Sequence, residues 1–263
     1  MPSNEQNLRA WEDYNWPQDG DEWSLSWGGP EPQWFGSIYP RIHTFLPART
    51  ILEIAPGFGR WTQFLKNYCG RLIVVDLTPA CIEACRKKFE AELHITYHIN
   101  DGKSLEMIPD ESLDFVFSFD SLVHAEADII ETYLVQLARK LKNNGVGFIH
   151  HSNIGMFVNA RTNELAFENR HWRAESMTSE LFEEFCDKAN LKCMSQETIN
   201  WGEHDEHRLT DCISLFTPKT SIWARPNRLV VNGKFWNEAT YIQSLSRAYT
   251  FRSVKVSPIS DTL

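Results

Sequence analysis

Apolar and polar positions alternate along the middle of this chain in a strand–helix rhythm. Ile51-Leu52-Glu53-Ile54 and Arg71-Leu72-Ile73-Val74-Val75-Asp76 are short, nearly continuous apolar runs, the pattern of strands buried on both faces. Between them Ala55-Pro56-Gly57-Phe58-Gly59 reads as a turn, and a helical pattern begins at Arg60-Trp61-Thr62-Gln63-Phe64-Leu65. Ile95 to Ile99 predicts a third strand, and Pro109 to Ser118 a polar turn leading into a fourth. Asp128 to Leu141 keeps Ile130, Leu134, Leu137 and Leu141 on one helical face, and Lys142-Asn143-Asn144-Gly145 stops it. Val146 to His150 predicts a fifth strand. Thr178 to Ala189 predicts an amphipathic helix with Leu181, Phe182 and Phe185 inward, and Leu191–Trp201 with Leu209–Thr217 a closing strand pair.

The first strand, turn and second strand carry chemistry. Small residues in the turn let backbone approach a ligand, and the helix N-terminus behind it offers free N–H groups. Asp76 ends the second strand where a carboxylate can accept hydrogen bonds from both ribose hydroxyls. A dinucleotide fingerprint needs a third glycine, and Thr62 stands at that position. Glu53, two residues before the turn, belongs to a different pattern: acid-x-Gly-x-Gly-x-Gly, here Glu53, Ala55, Gly57 and Gly59. On these residues the chain resembles the class I S-adenosylmethionine (SAM) dependent methyltransferases, with Ala55 in place of one glycine.

The resemblance spans residues 48–217 and implies an α/β, Rossmann-like, doubly wound sheet of seven strands. It implies SAM as cofactor, with Glu53 near the amino-acid end of the ligand, Asp76 on the ribose and Asp101, beside Gly102, on the adenine amino group. Ala55, Pro56, Gly57, Gly59 and Leu77 would lie along the cofactor, and Phe119 and Asp120 beside the reacting methyl group. A narrower likeness, carried by Asp21-Glu22-Trp23-Ser24, Trp27-Gly28, Pro40-Arg41-Ile42 and Glu53 to Thr62, is to bacterial methyltransferases of surface-polysaccharide and glycan pathways. It implies an aromatic segment enclosing SAM, with Tyr14 and Trp27 as contacts. The implied acceptor is a sugar hydroxyl or a terminal phosphate.

Composition narrows the partners. The 263 residues carry a formal charge of −9, which argues against a nucleic-acid backbone as partner. No apolar run is long enough to span a bilayer and no signal peptide precedes Trp11, so a cytoplasmic protein is expected. The six cysteines form no C-x-x-C pair, and Cys81 and Cys85 read as buried, reduced thiols. Glu203-His204-Asp205-Glu206-His207 has metal-ligating residue types but reads as a solvated loop, so no metal is expected.

Two flanks look like additions. Residues 1–47 hold Trp11, Tyr14, Trp16, Trp23, Trp27, Trp34 and Phe35 among prolines and glycines, a composition suited to a lid. Residues 218–263 suggest a hairpin around Asn232-Gly233 and a short helix over Thr240–Tyr249, suited to an oligomer contact or to the acceptor pocket.

For catalysis, His124 just beyond the fourth strand is the candidate base, with an ordinary pKa near ~6.5. His150 and His151 end the fifth strand on opposite faces, and His151 joins the catalytic candidates. Within the insertion 152–177, Arg170, Trp172 and Arg173 suit a phosphate or carboxylate and a sugar face. The expected activity is methyl transfer from SAM to a glycan or glycosylated small molecule. The alternatives are N-methylation of a small amine, marked by an acceptor pocket rich in acids or aromatics and no need for His124, and a non-catalytic subunit of the same fold.

Overall fold

The computed structural model describes residues 3–202 and 204–250. Its centre is one mixed sheet of eight strands in the order β3-β2-β1-β4-β5-β7-β6-β8. The strands are β1 (Ala48–Ile54), β2 (Cys69–Asp76), β3 (Ile95–Ile99), β4 (Leu113–Ser118), β5 (Leu141–Ser152), β6 (Leu191–Ile199), β7 (Asp211–Pro218) and β8 (Arg228–Asn232). The first five run parallel, and β7 pairs antiparallel with both β5 and β6. The strand order reverses beside β1, which opens a crevice at the carboxyl ends of β1 and β4.

Side-chain alternation gives the sheet two apolar faces. Leu52, Ile54, Val116 and Ile149 enter one core with the helices Ala127–Lys140 and Ser179–Lys188. Ile51, Phe115, Phe117 and Phe148 enter the other, with Trp27, Trp34 and Ile38 of the N-terminal segment. The face of Ile130, Leu134 and Leu137 is buried as its spacing requires. Thr178 caps the second helix by accepting the Leu181 N–H at 3.0 Å. Helix Ala127–Lys140 passes directly into β5, which starts five residues earlier than the apolar run alone suggests, because Leu141 pairs with Leu113. Gly147 makes room in the sheet: a Cβ there would lie 2.1 Å from the Phe216 ring.

Two expectations are corrected. The sheet has an eighth strand, and residues 228–236 do not form a hairpin. Gly233 lacks the positive φ a tight two-residue hairpin turn needs. Instead Asn232 Nδ2 donates to Glu197 Oε1 at 2.7 Å and Asn232 Oδ1 accepts the Lys234 N–H, so β8 lies parallel on β6 and a helix, Phe235–Tyr249, follows. That helix packs on the N-terminal segment. Arg41 pairs with Glu197 of β6 at 2.7 Å and with Glu238 of the helix at 3.1 Å, and Gly36 lies against Ile242. Residues 251–263 lie outside the described residues.

Candidate functional site

A cavity of about 650 Å³ opens at the carboxyl ends of the central strands, under the N-terminal segment. The turn after β1 forms its floor. Ala55, Gly57 and Gly59 all take left-handed backbone, at φ 57°, 58° and 84°. Gly59 has a second reason to be glycine, since a Cβ would lie 2.5 Å from the Phe89 ring. Asp76, at the end of β2, accepts the Thr78 N–H at 2.7 Å and the Gly57 N–H at 3.3 Å, tying strand end to turn. Burial outweighs these hydrogen bonds and raises its pKa to about 6. Glu53 lies behind the turn, fully buried. One carboxylate oxygen accepts from Thr62 Oγ1 at 2.6 Å and the other has no partner. Burial, with Asp76 nearby, pushes its pKa up to about 8.

These features fit a nucleoside ligand. The turn lets backbone come close, and Asp76 presents a carboxylate on the cavity wall for ribose hydroxyls. Asp101 does not present one. Its carboxylate accepts the N–H groups of Lys103 and Ser104 in its own turn, and only its neighbour Gly102 reaches the wall.

The helix Asn4–Asp13 roofs the cavity. Asn4 Nδ2 donates to the Asp101 carbonyl at 3.1 Å and Asn7 Nδ2 to the His124 carbonyl at 3.0 Å. Asn4, Asn7, Trp11 and Tyr14 therefore share one helical face turned to the site. Beyond them Trp16 stacks on Phe58 at 4.4 Å and covers Gly57.

His124 sits where β4 gives way to the next helix. Its Nδ1 lies 2.9 Å from the Trp172 carbonyl, so Nδ1 carries the proton and Nε2 has the free lone pair. Burial, with Arg173 nearby, lowers its pKa to about 4. The ring is therefore neutral at physiological pH, an acceptor of hydrogen bonds and a weak base, unlike the group of ordinary pKa expected from sequence. The Trp11 ring stands 5.3 Å from it.

A buried chain of polar groups braces this end. Arg173 Nε and Nη2 donate to the two carboxylate oxygens of Asp211 at 2.9 and 2.8 Å. His150 Nδ1 accepts the Asp120 N–H at 3.1 Å, so its Nε2–H donates to Asp211, at 3.0 Å. Arg60 holds the Asp120 carboxylate at 2.8 Å, with its guanidinium over Trp61.

Of the residues picked out by sequence, Tyr14, Ala55, Pro56, Gly57, Asp76, Leu77, Gly102, Phe119, Asp120, His124, Arg170, Trp172 and Arg173 line the cavity. Five do not. Glu53 and Gly59 support the turn from behind, and Asp101 Oδ1 accepts the Lys103 and Ser104 N–H groups of its own turn. Trp27 is wholly buried among Trp201, Phe235 and Trp236. His151 points to the opposite face of the sheet, stacked on Phe182 at 4.3 Å, its Nε2 on Ser214 and its Nδ1 on the Ser152 carbonyl. Arg173 reaches the wall, but its guanidinium is spent on Asp211. Sequence reasoning missed Asn4, Asn7 and Glu22. The signal for the first two is the capping box Ser3-Asn4-Glu5-Gln6, which starts the roof helix. Of the acidic loop 203–207, Glu203 lies outside the described residues, and no group of three metal-ligating side chains occurs among the described ones.

Comparison with known proteins finds similarity over the central part of the chain. Residues 51–145 match the family model of a methyltransferase domain. The chain is 27% identical over 149 residues to phosphoethanolamine N-methyltransferase 3 of Arabidopsis thaliana, covering 55% of this chain and 30% of that protein. It thus spans about a third of the length of the curated relatives it first matches. A SAM-dependent methyltransferase from Leishmania major superposes with a TM-score of 0.58 at 12% identity, over 81% of this chain and 82% of that one. The N-methyltransferase NodS from Bradyrhizobium japonicum does so with a TM-score of 0.51 at 16% identity, over 68% and 94%.

Proposed function

We propose that this chain, which carries a SAM-dependent methyltransferase domain and takes S-adenosylmethionine as its cofactor, methylates the nitrogen of a small amine. The observation that carries this reading is the chemistry around His124. A hydroxyl acceptor must lose its proton as the methyl group arrives, and a histidine with a pKa of about 4 removes it poorly. Asp120, the neighbouring carboxylate, is held by Arg60. A neutral amine needs no base at that moment, only orientation.

When bound, SAM supplies a methyl group activated on a sulfonium. Asp76 would hold the ribose, and the Ala55–Gly57 backbone would lie along the amino-acid end. Asn4 and Asn7 pin the roof helix to the loops after β3 and β4 and so keep water out. His124 Nε2 would accept an N–H of the acceptor and turn the nitrogen lone pair toward the methyl carbon. Trp11, Tyr14, Trp23, Trp172, Trp201 and Trp236 wall the cavity, and their π faces stabilise the positive charge that grows on nitrogen.

The names of two similar proteins point the same way: one methylates phosphoethanolamine and the other is an N-methyltransferase. For a phosphorylated amine, Arg170 on the cavity wall is exposed and pairs with Glu168, a partner it can exchange for phosphate. The sugar hydroxyl favoured by sequence would need a stronger base than His124. The deciding experiment incubates the protein with methyl-labelled SAM and a panel of small amines, phosphoethanolamine and sugars, at pH 8. Labelled N-methyl product is expected. Label on a sugar hydroxyl, with no amine methylated, would overturn the reading.

A further inference from the structure

Glu22 lies on the short helical turn Asp21–Trp27 and lines the cavity. One of its carboxylate oxygens accepts the Gly20 N–H at 2.9 Å, while the other is buried, and the Tyr14 hydroxyl lies against the carboxylate. Among the described residues no Lys, Arg or His forms an ion pair with it; Arg60 on the wall is taken up by Asp120 and Ser24. Aromatic rings surround this corner. Tyr14 meets Trp23 at 5.6 Å and Trp16 at 5.2 Å, and Trp11 closes on Tyr14 at 5.9 Å. Burial, together with the neighbouring Glu22 carboxylate, pushes the Tyr14 hydroxyl up to about 12, which puts phenol and carboxylate side by side.

A carboxylate without a cationic partner, beside a cluster of aromatic rings, is complementary to a cation. Resting on the amine reading above, we propose that Glu22, with Tyr14, Trp16 and Trp23, forms a subsite for the ammonium that the acceptor nitrogen becomes as the methyl group arrives. The roof segment then selects the substrate as well as excluding water. A neutral hydroxyl would donate to the carboxylate but gain little from the rings. An anion would be repelled. Asp21, the adjacent acid, takes no part because it does not line the cavity.

The same chemistry occurs in the α-ammonium of SAM itself, and the test separates the two sources. The full chain and its Glu22→Gln variant are each saturated with S-adenosylhomocysteine and titrated calorimetrically with tetramethylammonium, then titrated separately with S-adenosylhomocysteine alone. Tetramethylammonium should bind the wild type and bind Glu22→Gln about tenfold or more weakly, with S-adenosylhomocysteine affinity within about twofold. Tyr14→Leu should weaken tetramethylammonium in the same way. Absent or equal tetramethylammonium binding in the wild type and Glu22→Gln overturns the subsite. So does a loss of S-adenosylhomocysteine affinity as large as that for tetramethylammonium, which would assign the carboxylate to the cofactor. If Glu22-dependent binding is found but no amine is methylated, the subsite stands and the proposed reaction falls. If amines are methylated with the same KM by Glu22→Gln, the subsite falls and the reaction stands.

Discussion

Arg173 and Asp211 form a two-pronged ion pair inside the protein, Nε and Nη2 donating at 2.9 and 2.8 Å to the two carboxylate oxygens. The pair locks the insertion after β5 onto β7. It thereby fixes the carbonyl of Trp172, the residue before Arg173, on which the His124 tautomer depends. Removing one partner strands a buried charge. Arg173→Met should therefore cost about 3–5 kcal/mol by denaturant unfolding. The double variant Arg173→Met/Asp211→Asn should recover part of that loss, which a simple packing role for either side chain would not produce.

Two buried histidines, His124 and His151, contribute to the acid side of the stability profile, and His124 can be tested by itself. His124 has a folded pKa of about 4, below its ordinary value, so between pH ~6.5 and ~4 the unfolded chain binds the proton and the folded chain does not. Stability therefore falls as pH drops through this window, and the loss is complete below the folded value. The contribution is on the order of 3 kcal/mol. His124→Asn can still donate to the Trp172 carbonyl but cannot titrate. Its unfolding free energy, followed from pH 7 to pH 4, should fall less steeply than that of the wild type. Parallel curves would contradict the assigned burial of His124.

Glu53 acts in the opposite sense. Its folded pKa is raised to about 8, so the unfolded chain loses the proton first as pH climbs from the ordinary carboxylate range. The stability tied to the protonated, buried acid is present at low pH and declines as pH rises toward 8. Glu53→Gln resembles that protonated form and keeps an oxygen for the Thr62 hydroxyl. The variant should match the wild type near pH 4 and exceed it increasingly up to pH 8, measured in the absence of cofactor. A constant difference across that range would count against the raised pKa.

Much of this site is legible in the sequence, for a local reason. The turn 55–59 and Asp76 are placed by two adjacent parallel strands, β1 and β2, whose apolar runs declare themselves. Side chains whose neighbours are distant in sequence are harder to place. Trp27 belongs to the lid by composition, yet three aromatic rings from residues 201–236 enclose it. Strand alternation separates His150 from His151, but it cannot say that Asp211 and the Asp120 backbone occupy one ring while Phe182 and Ser214 occupy the other. Asn232-Gly233 has the composition of a hairpin, and Glu197, 35 residues away, draws Asn232 into a strand end instead. Asn4, Asn7 and Glu22 are ordinary polar residues until the roof helix docks.

The turn itself makes the last prediction. Ala55 holds left-handed backbone at φ 57°, a conformation costing an alanine roughly 1–2 kcal/mol that glycine is spared. Ala55→Gly should therefore stabilise the protein by about 1 kcal/mol or less, since the freer unfolded chain returns part of the gain. Gly59→Ala adds strain at φ 84° and a Cβ 2.5 Å from the Phe89 ring, so it should cost about 2 kcal/mol or more. It should also weaken S-adenosylhomocysteine binding, because the turn moves with it. The two substitutions lie four residues apart in one turn and test opposite sides of the glycine preference, with the Phe89 clash added at Gly59. Thermal unfolding of both, with and without S-adenosylhomocysteine, should move Tm in opposite directions. Equal destabilisation by both would mean that contacts of the Ala55 methyl group outweigh its backbone strain.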